Sequence, residues 1–233
     1  MTDKTALPDR ADFAHVTDWV FDLDNTLYPH HVDLFAQIDR NMTAYVAKLL
    51  NMELDDARKL QKQYYHDHGT TLRGLMHHHG IDPAGFLEAA HQIDYSPVPA
   101  DEGLSAAIKA LPGRKFIFTN GTVKHAEAAA RALGILDHFE DIFDIVAADY
   151  VPKPAGQTYD KFASLHRVDS RNAAMFEDLP RNLMAPKLLG MKTVLILPSG
   201  DHQALERWEI PGETDEHIDY MTSNLTAFLE AVL

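Results

Sequence analysis

The chemistry begins at Asp22-Leu23-Asp24, two carboxylates spaced to share a face in extended chain, directly after the apolar run Trp19-Val20-Phe21. Three further polar groups stand where strand-like segments end: Thr119-Asn120, Lys153 and Glu177-Asp178. Alone, each is commonplace, because a carboxylate pair or a Thr-Asn-Gly makes a solvated turn and a lone lysine sits on a surface. Gathered at the strand ends of one sheet they form a far more specific set. A carboxylate can attack phosphorus and carry the phosphoryl group as an acyl phosphate, dividing one hard step into two. Nucleophile and phosphate are both anionic, so a cation has to lie between them, and all-oxygen ligands suit Mg²⁺ better than zinc. A lysine and a hydroxyl would hold the transferred oxygens, and a second carboxylic acid would protonate the leaving alkoxide.

A sheet with ligands at the carboxyl ends of its strands would position such a set. Short apolar runs at residues 19–24, 115–121, 144–148, 173–178 and 193–197 read as parallel strands covered on both faces. Helical patterns alternate with them at 122–133, closed by Gly134, at 158–166, and at 181–189, closed by Gly190. The predicted fold is α/β, a doubly wound, mainly parallel sheet. Residues 28–99 break the alternation. Leu34, Ile38, Met42, Tyr45, Val46 and Leu49 share one helical face, and Ala57, Leu60 and Tyr64 share another. Asp82-Pro83 reads as an N-cap with proline at N1, and Ser96-Pro97-Val98-Pro99 as a stiff return. The expected division is a core of residues 1–28 and 100–233 with a small helical cap, 29–99, inserted after the first strand. The first 17 residues read as a loosely held arm. After Gly200 the chain is acidic and loosely patterned, until residues 217–233 suggest a closing strand and helix.

Composition removes whole classes of function. No cysteine is present, which excludes disulfides, thiol nucleophiles and cysteine-ligated zinc. Thirty-five acids against 21 bases give a net charge of −14, so a nucleic-acid polymer would be repelled. No apolar run approaches a membrane span, and the first residues lack the apolar stretch of a signal peptide, so the expected location is cytoplasmic. The consecutive His77-His78-His79 point about 100° apart on a helix and cannot converge on one ion.

Asp22-Leu23-Asp24-Asn25-Thr26, Phe118-Thr119-Asn120-Gly121, Lys153-Pro154 and Phe176-Glu177-Asp178 occur in the order found in the haloacid dehalogenase-like phosphatase superfamily, which residues 19–198 resemble. That resemblance implies Asp22 as nucleophile and Mg²⁺ ligand. It implies Asp24 as general acid and base, with its backbone carbonyl on the metal. Thr119 and Asn120 would bind the phosphoryl oxygens, and Lys153 would pair with nucleophile and phosphate. Asp178 would ligate the metal directly, and Glu177 would reach it directly or through water. The dehalogenase branch needs no proton donor for a halide, so an acid at Asp24 argues for phosphate chemistry.

Within the inserted segment, Tyr64-Tyr65-His66-Asp67-His68-Gly69 and Leu72-Arg73-Gly74-Leu75, with the earlier Asp24-Asn25-Thr26-Leu27-Tyr28-Pro29, resemble the pyrimidine 5′-nucleotidase branch. Arg73 could then clamp a phosphate or the base-ribose end, and Tyr64 or Tyr65 could stack on a ring. The expected partner is a small phosphorylated substrate, a nucleoside 5′-monophosphate. A phosphatase or phosphomutase for another small phosphate, such as a sugar phosphate, stays open at this point. So does a phospho-accepting regulatory domain, although chain length, the insertion and the Asp22/Asp24 pair weigh against it.

Overall fold

The computed structural model describes residues 4–198 and 215–233, so most of the loosely patterned stretch expected after Gly200 lies outside the described residues. A one-turn helix, α1 (Arg10–Phe13), capped by the Asp9 side chain, leads into strand β1 (Asp18–Phe21). Four helices follow with no strand between them: α2 (Leu34–Leu50), α3 (Leu54–His68), α4 (Thr71–His79) and α5 (Pro83–Ala90). The chain returns through α6 (Glu102–Ala110) to β2 (Arg114–Phe118), α7 (Val123–Leu133) and β3 (Asp141–Phe143). It continues as α8 (Gly156–His166), β4 (Ala173–Glu177), α9 (Met184–Leu189) and β5 (Lys192–Ile196). Strand β6 (Tyr220–Thr222) and α10 (Leu225–Val232) close it.

The six strands form one parallel sheet in the order β3-β2-β1-β4-β5-β6, as the sequence predicts. Successive side chains of a strand take opposite faces. Trp19 and Phe21 join Phe13, Ile108, Phe176 and Phe228 in one core, whereas Val20 joins Phe116, Phe118, Tyr159 and Phe162 in another. Phe21 pairs with Ile117 on one side and Phe176 on the other, so β1, β2 and β4 end nearly level. The strand order reverses between β1 and β4, where sheets of this kind bind ligands beyond the carboxyl ends.

The four helices after β1 bury a third cluster, built from Ile38, Val46, Leu72, Leu75, Phe86 and Leu87, and Ile145 from beyond β3 packs into it. Thr70 and Asp82 cap α4 and α5 with their side chains, and Gly69 and Gly80 end α3 and α4 in left-handed conformations. Leu49, assigned to the apolar face of α2, is exposed. No helix among the described residues is long and apolar enough to cross a membrane.

Two expectations fail. The run at 144–148 is not a strand. Asp144 accepts hydrogen bonds from the Val123 and Ala147 N–H groups at 3.0 and 2.8 Å, and this turn stops the third strand at Phe143. Nor is the amino-terminal segment loose over its described length. Phe13 and Val16 are buried, and Phe13 lies in the first core against Trp19 and Phe228.

Gly113, at φ +77°, makes the turn into β2, and a Cβ there would lie 2.1 Å from the Thr17 carbonyl oxygen. Gly113→Ala should therefore cost stability, by about 1–3 kcal/mol from backbone strain alone. The check is a lowered urea midpoint with an unchanged slope.

Candidate active site

The reversal point between β1 and β4 carries a buried ionic cluster. Lys153, 2% exposed, donates to Asp22 Oδ1 at 2.6 Å, to Glu177 Oε1 at 2.7 Å and to the Phe118 carbonyl at 2.8 Å. These partners sit at the ends of β1, β4 and β2, so one ammonium group ties three strands together. Glu177 is saturated further, by Asn182 Nδ2 on Oε1 at 2.7 Å and the Leu179 N–H on Oε2 at 2.8 Å. Asp178 stands beside it, approached at 3.4 Å by Asn25 Nδ2. Among the described residues, Asp22, Glu177 and Asp178 are the one group of three metal-capable side chains whose ligand atoms lie within 4.8 Å of one another.

Three carboxylates around one lysine leave excess negative charge out of water. Burial, reinforced by Glu177 and Asp24, pushes Asp22 up to about 8 despite the pull of Lys153. Burial, then Glu177 and Asp22, push Asp178 well above its usual range. Burial alone would strip the proton from Lys153, but Asp22 and Glu177 hold it above its ordinary value. The lysine stays charged, and the unmet demand for positive charge rests on the acids. A hard divalent cation among all-oxygen donors would meet that demand, so Asp22 and Asp178 fit Mg²⁺. Both Glu177 oxygens already accept hydrogen bonds, which favours a supporting place for it.

Asp24 is tuned the other way. Burial pushes it up, but His125 Nε2 at 2.9 Å and the Tyr28 hydroxyl, both on Oδ1, hold it below its usual range. Two acids two residues apart are therefore drawn in opposite directions by their own neighbours, Asp22 by crowding carboxylates and Asp24 by two hydrogen-bond donors.

A cavity of about 320 Å³ opens above this cluster, between the sheet edge and the four helices. Asp22, Asp24, Asn120, Lys153, Glu177 and Asp178 line its floor, and Tyr65 lines its wall with the Arg181 guanidinium 4.6 Å over the ring. Thr119 lies just beneath, 1% exposed, its hydroxyl accepting the Gly121 N–H at 2.9 Å. The Asn120 side chain clasps the backbone of Lys153, accepting its N–H at 2.9 Å.

Arg73 is not brought to this wall. Leu72, Gly74 and Leu75 turn inward on α4, leaving Arg73 exposed in a separate groove of about 300 Å³ with His66, His68 and Arg181. Tyr64 is also elsewhere, buried in the helical cluster with its hydroxyl 2.8 Å from His79. Sequence reasoning missed Tyr28, His91, His125, Arg181 and Asn182. His125 had a legible signal: it is the third residue of the helix that follows Thr119-Asn120-Gly121, and so stands at the carboxyl edge.

A doubly wound parallel sheet with an acidic, lysine-bridged cluster at its reversal point and a helical insertion over it defines a class of hydrolase. Residues 20–190 match the model of the haloacid dehalogenase-like hydrolases, and the chain belongs to that family. Phosphate metabolism protein 8 of Saccharomyces cerevisiae is 25% identical over an alignment of 195 residues that covers 76% of this chain and 60% of that protein. The chain thus spans about 60% of the length of that relative. The fold is similar to that of L-2-haloacid dehalogenase from Xanthobacter autotrophicus, at a TM-score of 0.59 and 14% identity over 93% of this chain and 98% of the other. It is equally similar to the magnesium-bound HAD hydrolase YfnB from Bacillus subtilis, at 0.59 and 15% over the same shares.

Lys153→Met should destabilise the protein by about 3–5 kcal/mol, because it strands buried carboxylates without their cation. Asp178→Asn should do the reverse in EDTA. An acid whose folded-state proton affinity is raised weakens the fold as pH climbs above its unfolded value, here 3.8. The Asn variant does not titrate, so its advantage should be absent below that pH and grow towards neutrality. Urea unfolding of both variants from pH 3 to 8 measures these effects.

Proposed function

We propose that this hydrolase is a Mg²⁺-dependent phosphomonoesterase that works through an aspartyl-phosphate on Asp22. The observation that carries the reading is the geometry: Asp22, bridged to Lys153 beside the other carboxylates, lines one cavity together with a second acid, Asp24. A halide leaves without a proton, whereas an alkoxide needs one, and Asp24 supplies a reason for the second acid. The name of the yeast relative, a phosphate metabolism protein, supports the same class.

In this mechanism Asp22 attacks phosphorus in line with the ester oxygen, and Asp24 gives that oxygen a proton as it leaves. Asp24 then takes a proton from water, which attacks the aspartyl-phosphate and frees Asp22. Lys153 neutralises charge on nucleophile and phosphoryl group, and Thr119 and Asn120 shape the loop that receives the phosphoryl oxygens. Asp22 and Asp178, with the Asp24 carbonyl, would hold Mg²⁺, which when bound screens the anionic nucleophile from the anionic phosphate.

The substrate we infer is a nucleoside 5′-monophosphate, a pyrimidine one by the motifs around Tyr65. The cavity has the volume of a small-molecule site. Above its ionic floor stand Phe35, Leu72, Phe86 and the Tyr65–Arg181 pair, apolar and planar surfaces suited to a heterocycle. Buried Asn182 Oδ1 and Arg181 Nε, both on cavity-lining residues, have no hydrogen-bond partner among the described residues, as expected where a polar ligand binds. Residues 29–99 act as the cap that excludes bulk water during transfer.

Phosphate release from a panel of nucleotides and sugar phosphates tests the reading. Uridine and cytidine 5′-monophosphates should be preferred, EDTA should silence turnover, and Mg²⁺ but not Ca²⁺ should restore it. Asp22→Asn should lose at least ~10³-fold in kcat, the scale of losing a covalent catalytic group. Turnover within tenfold of the parent would remove Asp22 from the nucleophile's role.

A further inference from the structure

The fold treats the two carboxyl oxygens of Asp24 unequally. Oδ1 receives the Tyr28 hydroxyl and stands 2.9 Å from His125 Nε2, whereas no hydrogen bond among the described residues engages Oδ2. The histidine is itself held. It is wholly buried, its Nδ1 is 2.9 Å from the Tyr95 hydroxyl, and its ring stacks on His91 at 4.7 Å. His91 is tied in turn by its Nδ1 to the Leu87 carbonyl of α5 at 2.9 Å.

We propose that His125, held by Tyr95, is the positioning residue of Asp24 and leaves Oδ2 as the atom that exchanges the proton. The proposal rests on the phosphomonoesterase reading. An Asp24 oxygen that accepts from Tyr28 also accepts from His125, so Nε2 carries the hydrogen. The Tyr95 hydroxyl holds the other ring nitrogen, Nδ1, at 2.9 Å. Both donors to Asp24 favour the carboxylate, yet both can stay in place when the acid carries its proton. When Asp24 is protonated, Oδ1 is the carbonyl oxygen and keeps both hydrogen bonds while Oδ2–H faces the ester. As the bond from Asp22 to phosphorus forms, the bond from phosphorus to the ester oxygen breaks with its electron pair on that oxygen, which takes the Oδ2 proton. In the second half Oδ2 takes a proton from water as the water oxygen bonds to phosphorus and the Asp22–phosphorus bond breaks.

Tyr95 and His91 come from the inserted segment, and His125 and Asp24 from the sheet side. The acid is therefore aimed by parts of the chain that meet only when the helices are seated.

The test is leaving-group dependence. The phenolate of p-nitrophenyl phosphate departs without a proton, whereas the alkoxides of uridine 5′-monophosphate and glycerol 3-phosphate need one. His125→Asn should lower kcat/KM, which reports only the steps through departure of the leaving group, by about 10–100-fold on the alkyl esters and by about threefold on the aryl ester. Tyr95→Phe, which removes one hydroxyl and no packing, should show the same preference at about 3–10-fold. Equal losses on aryl and alkyl esters in folded protein, or no loss on either, overturns the proposal. If His125→Asn does not fold, Tyr95→Phe decides by the same comparison. Asp22→Asn in parallel keeps the two readings apart. Should it retain activity, the reaction is misassigned; should it silence every ester while the other variants show no leaving-group preference, only the positioning role falls.

Discussion

An ammonium group taken out of water costs several kcal/mol unless the protein replaces each lost hydrogen bond. Lys153 has all three replaced, by Asp22, Glu177 and the last carbonyl of β2. The level endings of β1, β2 and β4, the turn in which Asn120 clasps the lysine backbone, and the saturation of Glu177 all follow from that demand. The same lysine limits what else can sit there. It neutralises one acid among the three, so the cluster as a whole stays net negative.

The Asp22/Asp24 pair shows how little sequence distance is needed to separate two environments. Asp22 points down into a crowd of carboxylates and holds its proton more tightly. Asp24, one side chain higher, meets a histidine and a tyrosine and holds its proton less tightly. Apart from Tyr28, the residues that distinguish them lie far from the pair in sequence, so the difference belongs to the tertiary structure.

That is why the sequence was informative about some things and silent on others. The strands are legible because each is a short apolar run followed by a polar break, and β1 and β4 lie close to their expected spans. The run at 144–148 misleads because Ile145 and Val146 look strand-like, while the Asp144 side chain has already turned the backbone. Asp22 and Asp178 are legible because each is a carboxylate at the end of an apolar run, whereas Lys153 lies in the loop ten residues after β3 and only the fold brings its ammonium group to Asp22. Arg73 is less legible: its neighbours Leu72 and Leu75 decide which way α4 faces, and only packing against α3 and α5 settles it. His125 went unnoticed because its signal is one of position, the first turn of the helix after Thr119-Asn120-Gly121, and not of any pattern within that alanine-rich helix.

Ile145 bears on how separable the inserted helices are. It reaches up from the loop after β3 and completes the apolar interior of a segment that enters the chain more than a hundred residues earlier. A relative's helices grafted onto this sheet would have to bring a socket of matching depth for that one isoleucine. Otherwise the graft would rest on a void or a protrusion, and the cavity beneath would change shape before any of its lining residues had been altered. Divergence of the inserted helices and of the loop beneath them is thereby constrained to run in step.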